Sequence, residues 1–91
     1  MRLGIFAKTF ARPLYKGHSE VVFGVSWSPN GKRIASVGRD ITVQVWDAAT
    51  GRLQFTYRRH TDLVFDIAWS PDGTRIASAS ADTTAWVWQA V

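Results

Sequence analysis

The sequence contains no cysteine. This absence excludes a disulfide-stapled scaffold and any cysteine-ligated zinc site, and it fits a reducing compartment, so we expect a cytoplasmic protein. No apolar run approaches the roughly 18 residues that a membrane-spanning helix needs. The opening stretch MRLGIFAKTFARPL carries positive charge but no uninterrupted apolar core. A secretory signal is therefore not expected.

Acidic residues are the minority among the charged ones. Seven Asp and Glu face 11 Lys and Arg, which gives a net charge of +4. This balance permits nucleic acid or an acidic partner, but we favour the simpler interpretation of an ordinary solvated surface. Hydrophobic residues make up 46% of the 91 residues, so the composition is that of one small folded domain and not of a disordered chain.

The chain contains an internal repeat. His18 and His60 lie 42 positions apart, and an ungapped comparison of residues 18–49 with residues 60–91 gives 16 identities in 32 positions. SPNGKRIASVGRD in the first unit becomes SPDGTRIASASAD in the second. A period of this length is typical of repeat architectures in which each unit buries its apolar surface against the next.

Each unit reads as short antiparallel strands. Turn signals recur at short, regular intervals, with β-branched and aromatic residues between them. In the first strand, VVFGVSWS, Val25 and Trp27 alternate while Val22 is out of phase, so we predict a β-bulge near Phe23–Gly24 and another near Phe65–Asp66. PNG and PDG predict the next hairpin turn, because Asn or Asp followed by Gly accepts positive φ with little strain. We expect Trp27 and Trp69 to face the core.

With these elements in place, the first unit resembles one repeat of the WD-repeat (WD40) β-propeller family. The resemblance rests on GHSEVVFGVSWSPNGKRIASVGRDITVQVWD, from its Gly-His opening to its Trp-Asp close. The second unit departs twice, with Arg59-His60 for Gly-His and Trp88-Gln89 for Trp-Asp. The two units together span about residues 15–90. The resemblance implies an all-β fold of two four-stranded antiparallel propeller blades. The count of strands further predicts that these blades are part of a closed propeller assembled from several chains.

His, Ser and Asp recur at matching positions, which raises the question of a hydrolase triad. Members of the family share a hydrogen-bonded tetrad of Trp, Ser or Thr, His and Asp, and this resemblance implies a structural role that satisfies buried polar groups. The tetrad residues are His18, Ser36, Asp40 and Trp46 in the first unit and His60, Ser78, Asp82 and Trp88 in the second. We therefore expect no catalytic residue, no metal site and no cofactor.

The resemblance also implies a partner-binding face at the loops that enter the first strands. Its expected residues are Val21, Phe23, Arg39, Leu63, Phe65 and Ala81. Two phenylalanines at such a face predict an apolar mouth, because large exposed apolar groups often mark binding sites. The alternative is that Phe23 and Phe65 pack against neighbouring blades at the bulge.

The offset between the two units also divides the chain. We interpret residues 1–9 as a leader and residues 10–17 as an outer, fourth strand of a neighbouring blade; residues 18–58 form the first repeat, and residues 59–91 form the second without its fourth strand. Ala11, Arg12, Pro13, Leu14 and Tyr15 would then close the assembly by adding to another copy. Proline suits that position, because it is confined to edge strands.

These strands predict head-to-tail self-association. Two blades per chain exclude a seven-bladed ring of identical chains, and bulky Trp and Phe faces argue against four blades. We expect four chains and eight blades, with three chains and six blades as the alternative. The predicted function is a non-catalytic scaffold that presents its face to a protein or peptide. A purely structural or engineered propeller fragment with no ligand, and a basic nucleic-acid binder, remain alternatives; a membrane partner is not expected.

Overall fold

A computed structural model describes residues 17–90. These residues form seven strands: β1 (Val22–Trp27), β2 (Arg33–Gly38), β3 (Val43–Asp47), β4 (Leu53–Tyr57), β5 (Val64–Trp69), β6 (Arg75–Ser80) and β7 (Ala85–Gln89). Strands β1 to β4 form one antiparallel sheet in chain order, here called blade 1, and β5 to β7 form a second, blade 2. The predicted all-β class with two antiparallel sheets is confirmed. The predicted leader, residues 1–9, and the closure residues Ala11–Tyr15 lie outside the described residues.

Both predicted β-bulges are present. The register between β1 and β2 shifts between Val22 and Gly24, and the register between β5 and β6 shifts between Val64 and Asp66. The residues skipped by the pairing are Phe23 and Phe65. One extra residue returns the following side chains to the face on which the strand began, which explains how apolar residues three apart share a face.

The hairpin turns use glycine as predicted, but not the residue before it. Gly31 and Gly73 both have a φ of 73°, in the left-handed region that glycine enters without strain. Asn30 acts through its side chain, whose Oδ1 accepts the Lys32 N–H at 2.9 Å. Asp72 accepts the equivalent N–H of Thr74 at 3.0 Å. The hydrogen bond from Ser70, followed by those from Thr74, lowers the pKa of Asp72 to about 2.

The two blades pack face to face around one apolar core. Paired positions on neighbouring strands share a face, which places four fully buried residues of blade 1 together: Ala35, Val37, Val43 and Val45. The facing side of blade 2 supplies Ile67, Ile76, Trp88 and the half-buried Trp69. Complete burial of a Val or Ile side chain contributes about 1.5–3 kcal/mol, so each of these side chains stabilises the contact between the blades.

Polar contacts join the same two blades. The Trp69 Nε1–H of blade 2 donates to the Ser26 carbonyl oxygen of blade 1 at 2.9 Å. The Arg33 guanidinium lies 5.0 Å from the centre of the Trp69 ring, and its Nη2 donates to the Ala90 carbonyl oxygen at 2.8 Å. Tyr57 in β4 stacks on Trp88 with ring centres 4.6 Å apart. These contacts fix how the blades are oriented toward each other.

Trp27 does not lie in the core, contrary to the sequence-based expectation. Its side chain is 63% exposed, although Trp69 at the equivalent position is half-buried. The cause is the stacking order. The side of blade 2 that carries Trp69 packs on blade 1, whereas the side of blade 1 that carries Trp27 faces away from blade 2. The alternation of apolar residues along β1 predicted that Trp27 lies on an apolar side of the strand, but it did not predict whether another sheet packs on that side.

Candidate functional site

The first tetrad joins four side chains from a loop, a turn and two strands. His18, in the loop before β1, contacts Asp40 Oδ2 through Nδ1 at 2.8 Å and Ser36 Oγ through Nε2 at 2.7 Å. The Trp46 Nε1–H donates to the same serine oxygen at 3.1 Å. With the Nδ1–H donating to the carboxylate, Nε2 is the ring nitrogen that accepts the serine proton. Strands β2 and β3 supply Ser36 and Trp46, and the turn between them supplies Asp40.

The second tetrad repeats this geometry in blade 2. His60 Nδ1 lies 3.0 Å from Asp82 Oδ2, and His60 Nε2 lies 2.8 Å from Ser78 Oγ. The Trp88 Nε1–H donates to Ser78 Oγ at 2.7 Å. The Thr61 N–H also donates to Asp82 Oδ2, at 2.9 Å. The carboxylate therefore holds both the histidine ring and the backbone that follows it.

Two threonines take part in these networks, although sequence reasoning did not identify them. The Thr42 hydroxyl donates to Asp40 Oδ1 at 2.8 Å, and the Thr84 hydroxyl donates to Asp82 Oδ1. The signal was present, because Asp-x-Thr occurs at the same place in both repeats. Between Asp and Thr, Ile41 and Thr83 adopt positive φ values of 71° and 73°. Such a backbone costs a β-branched residue about 1–2 kcal/mol.

Hydrogen bonding keeps both tetrad carboxylates ionised. Burial alone would raise the pKa of Asp40, but hydrogen bonds from Thr42 and His18 together hold it below its ordinary value. For Asp82, the hydrogen bond from the Thr84 hydroxyl is the largest cause of a strongly lowered pKa, and burial opposes it only in part. Ionised carboxylates are the better acceptors for the imidazole N–H groups.

The tetrad has the distances of a serine triad but not its accessibility. Ser36 and Ser78 are each 2% exposed. Each serine oxygen accepts an indole N–H and contacts an imidazole, so the hydroxyl proton and one of its lone pairs are used within the fold. A nucleophile must reach a substrate carbonyl, and these oxygens do not. The arrangement satisfies buried polar groups and joins the loop before each blade to the second and third strands of that blade.

The six residues of the predicted binding face lie at one edge of the two blades. The Arg39 N–H donates to the Val21 carbonyl oxygen at 2.8 Å, and the Ala81 N–H donates to the Leu63 carbonyl oxygen at 2.9 Å. The bulge residues Phe23 and Phe65 join the two blades there, with ring centres 5.5 Å apart and planes inclined by 48°. Four of these six residues have large apolar side chains, so the edge is mainly apolar: Val21, Phe23, Leu63 and Phe65.

The exposure of this edge is uneven. Val21 is 60% exposed, Phe65 51% and Phe23 39%, whereas Leu63 is half-buried. Arg39 and Ala81 are exposed. The two phenylalanine rings therefore contact each other, and both are also exposed to solvent. Within residues 17–90, no three His, Asp or Glu side chains cluster closely enough to hold a metal ion. The same residues contain no helix able to cross a membrane.

Comparison with known proteins identifies the family of this fold. A family model described as "WD domain, G-beta repeat" matches residues 10–47 and again residues 51–89, which together make up most of the chain. The chain belongs to the WD-repeat family. The two matches agree with two repeats of about 40 residues each. WD-repeat domains are generally non-catalytic scaffolds, which agrees with the inaccessible serine oxygens.

Several curated WD-repeat relatives resemble this chain over a single repeat. "Cell division cycle 20.6, cofactor of APC complex" from Arabidopsis thaliana is 52% identical over 33 residues, 36% of this chain and 8% of that protein. "WD repeat-containing protein slp1" from Schizosaccharomyces pombe is 44% identical over 41 residues, 45% of this chain and 8% of the relative. "Ribosome biogenesis protein BOP1 homolog" from Drosophila virilis is 46% identical over 39 residues, 43% of this chain and 5% of the relative. The matched segments thus span less than a tenth of each relative.

Proposed function

We propose that this WD-repeat chain is a non-catalytic scaffold that binds a protein or peptide at the edge carrying Phe23 and Phe65. The observation that carries the proposal is the pair of aromatic rings in contact across two blades and exposed to solvent. Burying such rings against a partner removes apolar surface from water, at about 25 cal/mol per Å². The tetrads support the proposal because they hold the loops of that edge in place.

The chemistry of the edge favours a partner segment with an apolar side chain next to an acidic one. Val21, Phe23 and Phe65 offer apolar contacts, and the exposed Arg39 lies beside Val21 through the backbone hydrogen bond between them. Aromatic and arginine side chains are the types that contribute most at protein interfaces. The apolar anchor would supply the affinity, and the arginine would orient a carboxylate.

The test is a selection from a random peptide library on the 91-residue chain and on the double variant Phe23→Ser/Phe65→Ser. We expect the wild type to enrich peptides with an apolar anchor, and the double variant to lose at least tenfold in affinity for them. The control variant is Leu53→Ser, which removes a side chain of comparable exposure (46%) from β4, the outer strand. It should bind as the wild type does.

Circular dichroism and thermal melts of the three proteins distinguish binding from folding. If the double variant binds the selected peptides with unchanged affinity, the phenylalanine pair is not the binding surface. If the double variant unfolds while Leu53→Ser does not, the two rings belong to the core and the proposal fails.

The same scaffold, we propose, associates with further copies of itself, head to tail. Both outward sides of the blade pair expose apolar side chains, among them Val25 and Trp27 on blade 1 and Val87 on blade 2. β7 is the outermost strand of blade 2 among residues 17–90, and residues 10–17 of another copy are the proposed addition to it. A ring of four chains with eight blades is the preferred assembly, and three chains with six blades is the second.

A further inference from the structure

Each blade has two sides, and equivalent sides differ sharply in exposure. Val64 and Ile67 on the side of blade 2 that packs on blade 1 are 0% and 7% exposed. Their counterparts in the first repeat, Val22 and Val25, are 47% and 63% exposed. This side of blade 1, which also carries Trp27, is here called the tryptophan side. Its exposed residues Val22, Val25 and Trp27 are the counterparts of Val64, Ile67 and Trp69, whereas Ile34 and Trp46 on the same side are each only 6% exposed.

On the opposite sides of the blades the difference in exposure is reversed. The opposite side of blade 1 carries four fully buried residues, Ala35, Val37, Val43 and Val45. Their counterparts on blade 2 are all exposed: Ala77, Ala79, Ala85 and Val87. This exposed side of blade 2 is here called the alanine side. The chain therefore exposes part of each half of its internal interface: the β1 residues of the tryptophan side, and the β6 and β7 residues of the alanine side.

The internal interface has a defined slot for a tryptophan. Trp69 lies on blade 1, where its Nε1–H reaches the Ser26 carbonyl oxygen at 2.9 Å. The Arg33 guanidinium lies over its ring and donates to the Ala90 carbonyl oxygen. One hydrogen bond, one cation–π contact and the apolar floor at Ala35 thus hold this single side chain.

The equivalent slot on blade 2 is an open groove. It is lined by Ala68, Arg75, Ile76, Ala77 and Val87 among others. In the alignment of the two repeats, Ala68 corresponds to Ser26, Arg75 to Arg33 and Ala77 to Ala35. The groove therefore corresponds to the site that Trp69 occupies on blade 1, but no tryptophan of residues 17–90 fills it. Trp27 is the tryptophan equivalent to Trp69, and its side chain is exposed.

From this correspondence we infer that Trp27 of a second copy of the chain fills the groove on the alanine side of blade 2. This inference rests on the self-association proposed above and names the surface that mediates it. The Trp27 indole N–H of the second copy donates to the Ala68 carbonyl oxygen, and the Arg75 guanidinium covers its ring. Arg75 also donates to the Ala48 carbonyl oxygen of the second copy, since Ala48 is the counterpart of Ala90.

The two interfaces differ in ways that bear on this contact. Asp66 replaces Gly24, where an added Cβ would lie 3.3 Å from a Val37 methyl carbon, closer than such contacts usually are, and at ordinary contact distances of 3.5 and 3.6 Å from the Phe65 carbonyl oxygen and an Ile67 methyl carbon of the opposite blade. On the alanine side that valine is Ala79, which has no such methyl group. The Asp66 carboxylate also accepts the Ile67 N–H at 2.9 Å. Alanines at 79 and 85 in place of valines bury less apolar area, so the contact between copies is weaker than the internal one.

The test uses two variants that remove opposite halves of the contact. Trp27→Ser removes the inserted side chain, and Val87→Arg places a charge in the groove at a position that is 65% exposed. The wild type at rising concentration should show light-scattering masses that are multiples of 10.2 kDa. Each variant alone should remain at the mass of one chain, with unchanged circular dichroism and thermal melting at low concentration.

Mixing the variants provides the deciding measurement. The Trp27→Ser chain keeps an intact groove and the Val87→Arg chain keeps an intact Trp27, so an equimolar mixture should give a one-to-one pair of twice the chain mass that grows no further. If each variant alone associates as well as the wild type does, the groove contact is wrong, but the proposal of self-association still holds. Wild-type chains that stay at the mass of one chain at every concentration would overturn both, without bearing on peptide binding at the phenylalanine edge.

Discussion

At the scale of single residues, each tetrad serine hydroxyl joins an imidazole ring to an indole ring. The Ser78 hydroxyl contacts both the His60 ring and the Trp88 indole, and all three side chains are buried. Removing that oxygen would leave a buried imidazole nitrogen and a buried indole N–H without a partner. An unsatisfied buried polar group costs about 1–3 kcal/mol.

We therefore predict that Ser78→Ala lowers the free energy of unfolding by about 1–3 kcal/mol, measured by urea denaturation. Ser19→Ala is the matched control, because Ser19 is exposed, and it should change stability by less than about 0.5 kcal/mol. We expect no hydrolytic activity from the wild type or from either variant, because the proposed role of the serine is structural. Equal stability of the two variants would contradict that role.

The tetrad carboxylates make a second prediction, on acid stability. The pKa values of Asp40 and Asp82 are lowered in the folded state. A lowered folded-state pKa stabilises the fold above the unfolded-state pKa of about 3.9, and this contribution is lost as the pH falls through the lowered value. The melting temperature should therefore fall as the pH drops below about 4.

The variant Asp40→Asn/Asp82→Asn tests the origin of that fall. It should melt lower than the wild type at pH 7 and lose less on acidification, so that the two curves of melting temperature against pH converge at low pH. Some slope should remain, because the pKa values of Asp47 and Asp72 are also lowered. Parallel curves for the wild type and the variant would show that the tetrad carboxylates do not contribute.

At the scale of elements, Arg33 at the start of β2 joins one blade to the other. It lies over the Trp69 ring and donates to the Ala90 carbonyl oxygen. Arg33→Ala should lower the free energy of unfolding by about 1–2 kcal/mol, since a cation–π contact and a charged hydrogen bond are both lost. Arg75→Ala, at the equivalent position of the second repeat, is the matched control. Because Arg75 is exposed, that control should leave the free energy of unfolding unchanged when it is measured by denaturant at low protein concentration. A loss equal to that of Arg33→Ala would contradict the role of Arg33 in joining the two blades.

The strands show what a sequence pattern can and cannot predict about such elements. The β-bulges followed from a break in the alternation of apolar residues, because the period of a strand is two. The positive φ at Ile41 and Thr83 was not predicted, since β-branched residues disfavour it and only the hydrogen bonds around the neighbouring Asp and Thr explain it. The exposure of Trp27 was likewise missed, because the alternation does not tell which side of a sheet another sheet covers.

At the scale of the whole molecule, the repeat predicted the family, the all-β class and the two sheets, since each depends on local pattern and spacing. The pairing of one blade with the other, and the groove that results, required coordinates. The number of copies in the assembly depends on the rotation between neighbouring chains, which no local pattern encodes. The assembly therefore stays a prediction about the intact chain.

That prediction concerns mass. We expect light scattering of the intact chain to show four times the chain mass of 10.2 kDa, with three times as the second possibility. Deletion of residues 1–17 should reduce the mass, because it removes the proposed closure strand. Retention of the full mass by the deleted chain would leave blade stacking as the only basis of association, and a single-chain mass for the intact protein would contradict the ring.

The likeness of the exposed β1 residues of blade 1 and the alanine side of blade 2 to their covered counterparts has a consequence for covalent connectivity. An interface that can form within a chain or between chains is governed by the same contacts in both cases, and only the effective concentration differs. A flexible linker of suitable length raises that concentration to the millimolar range. Two copies fused in tandem would therefore resist dilution where separate copies dissociate, so gene fusion alone could turn a concentration-dependent assembly into a permanent one, with no change at any contact.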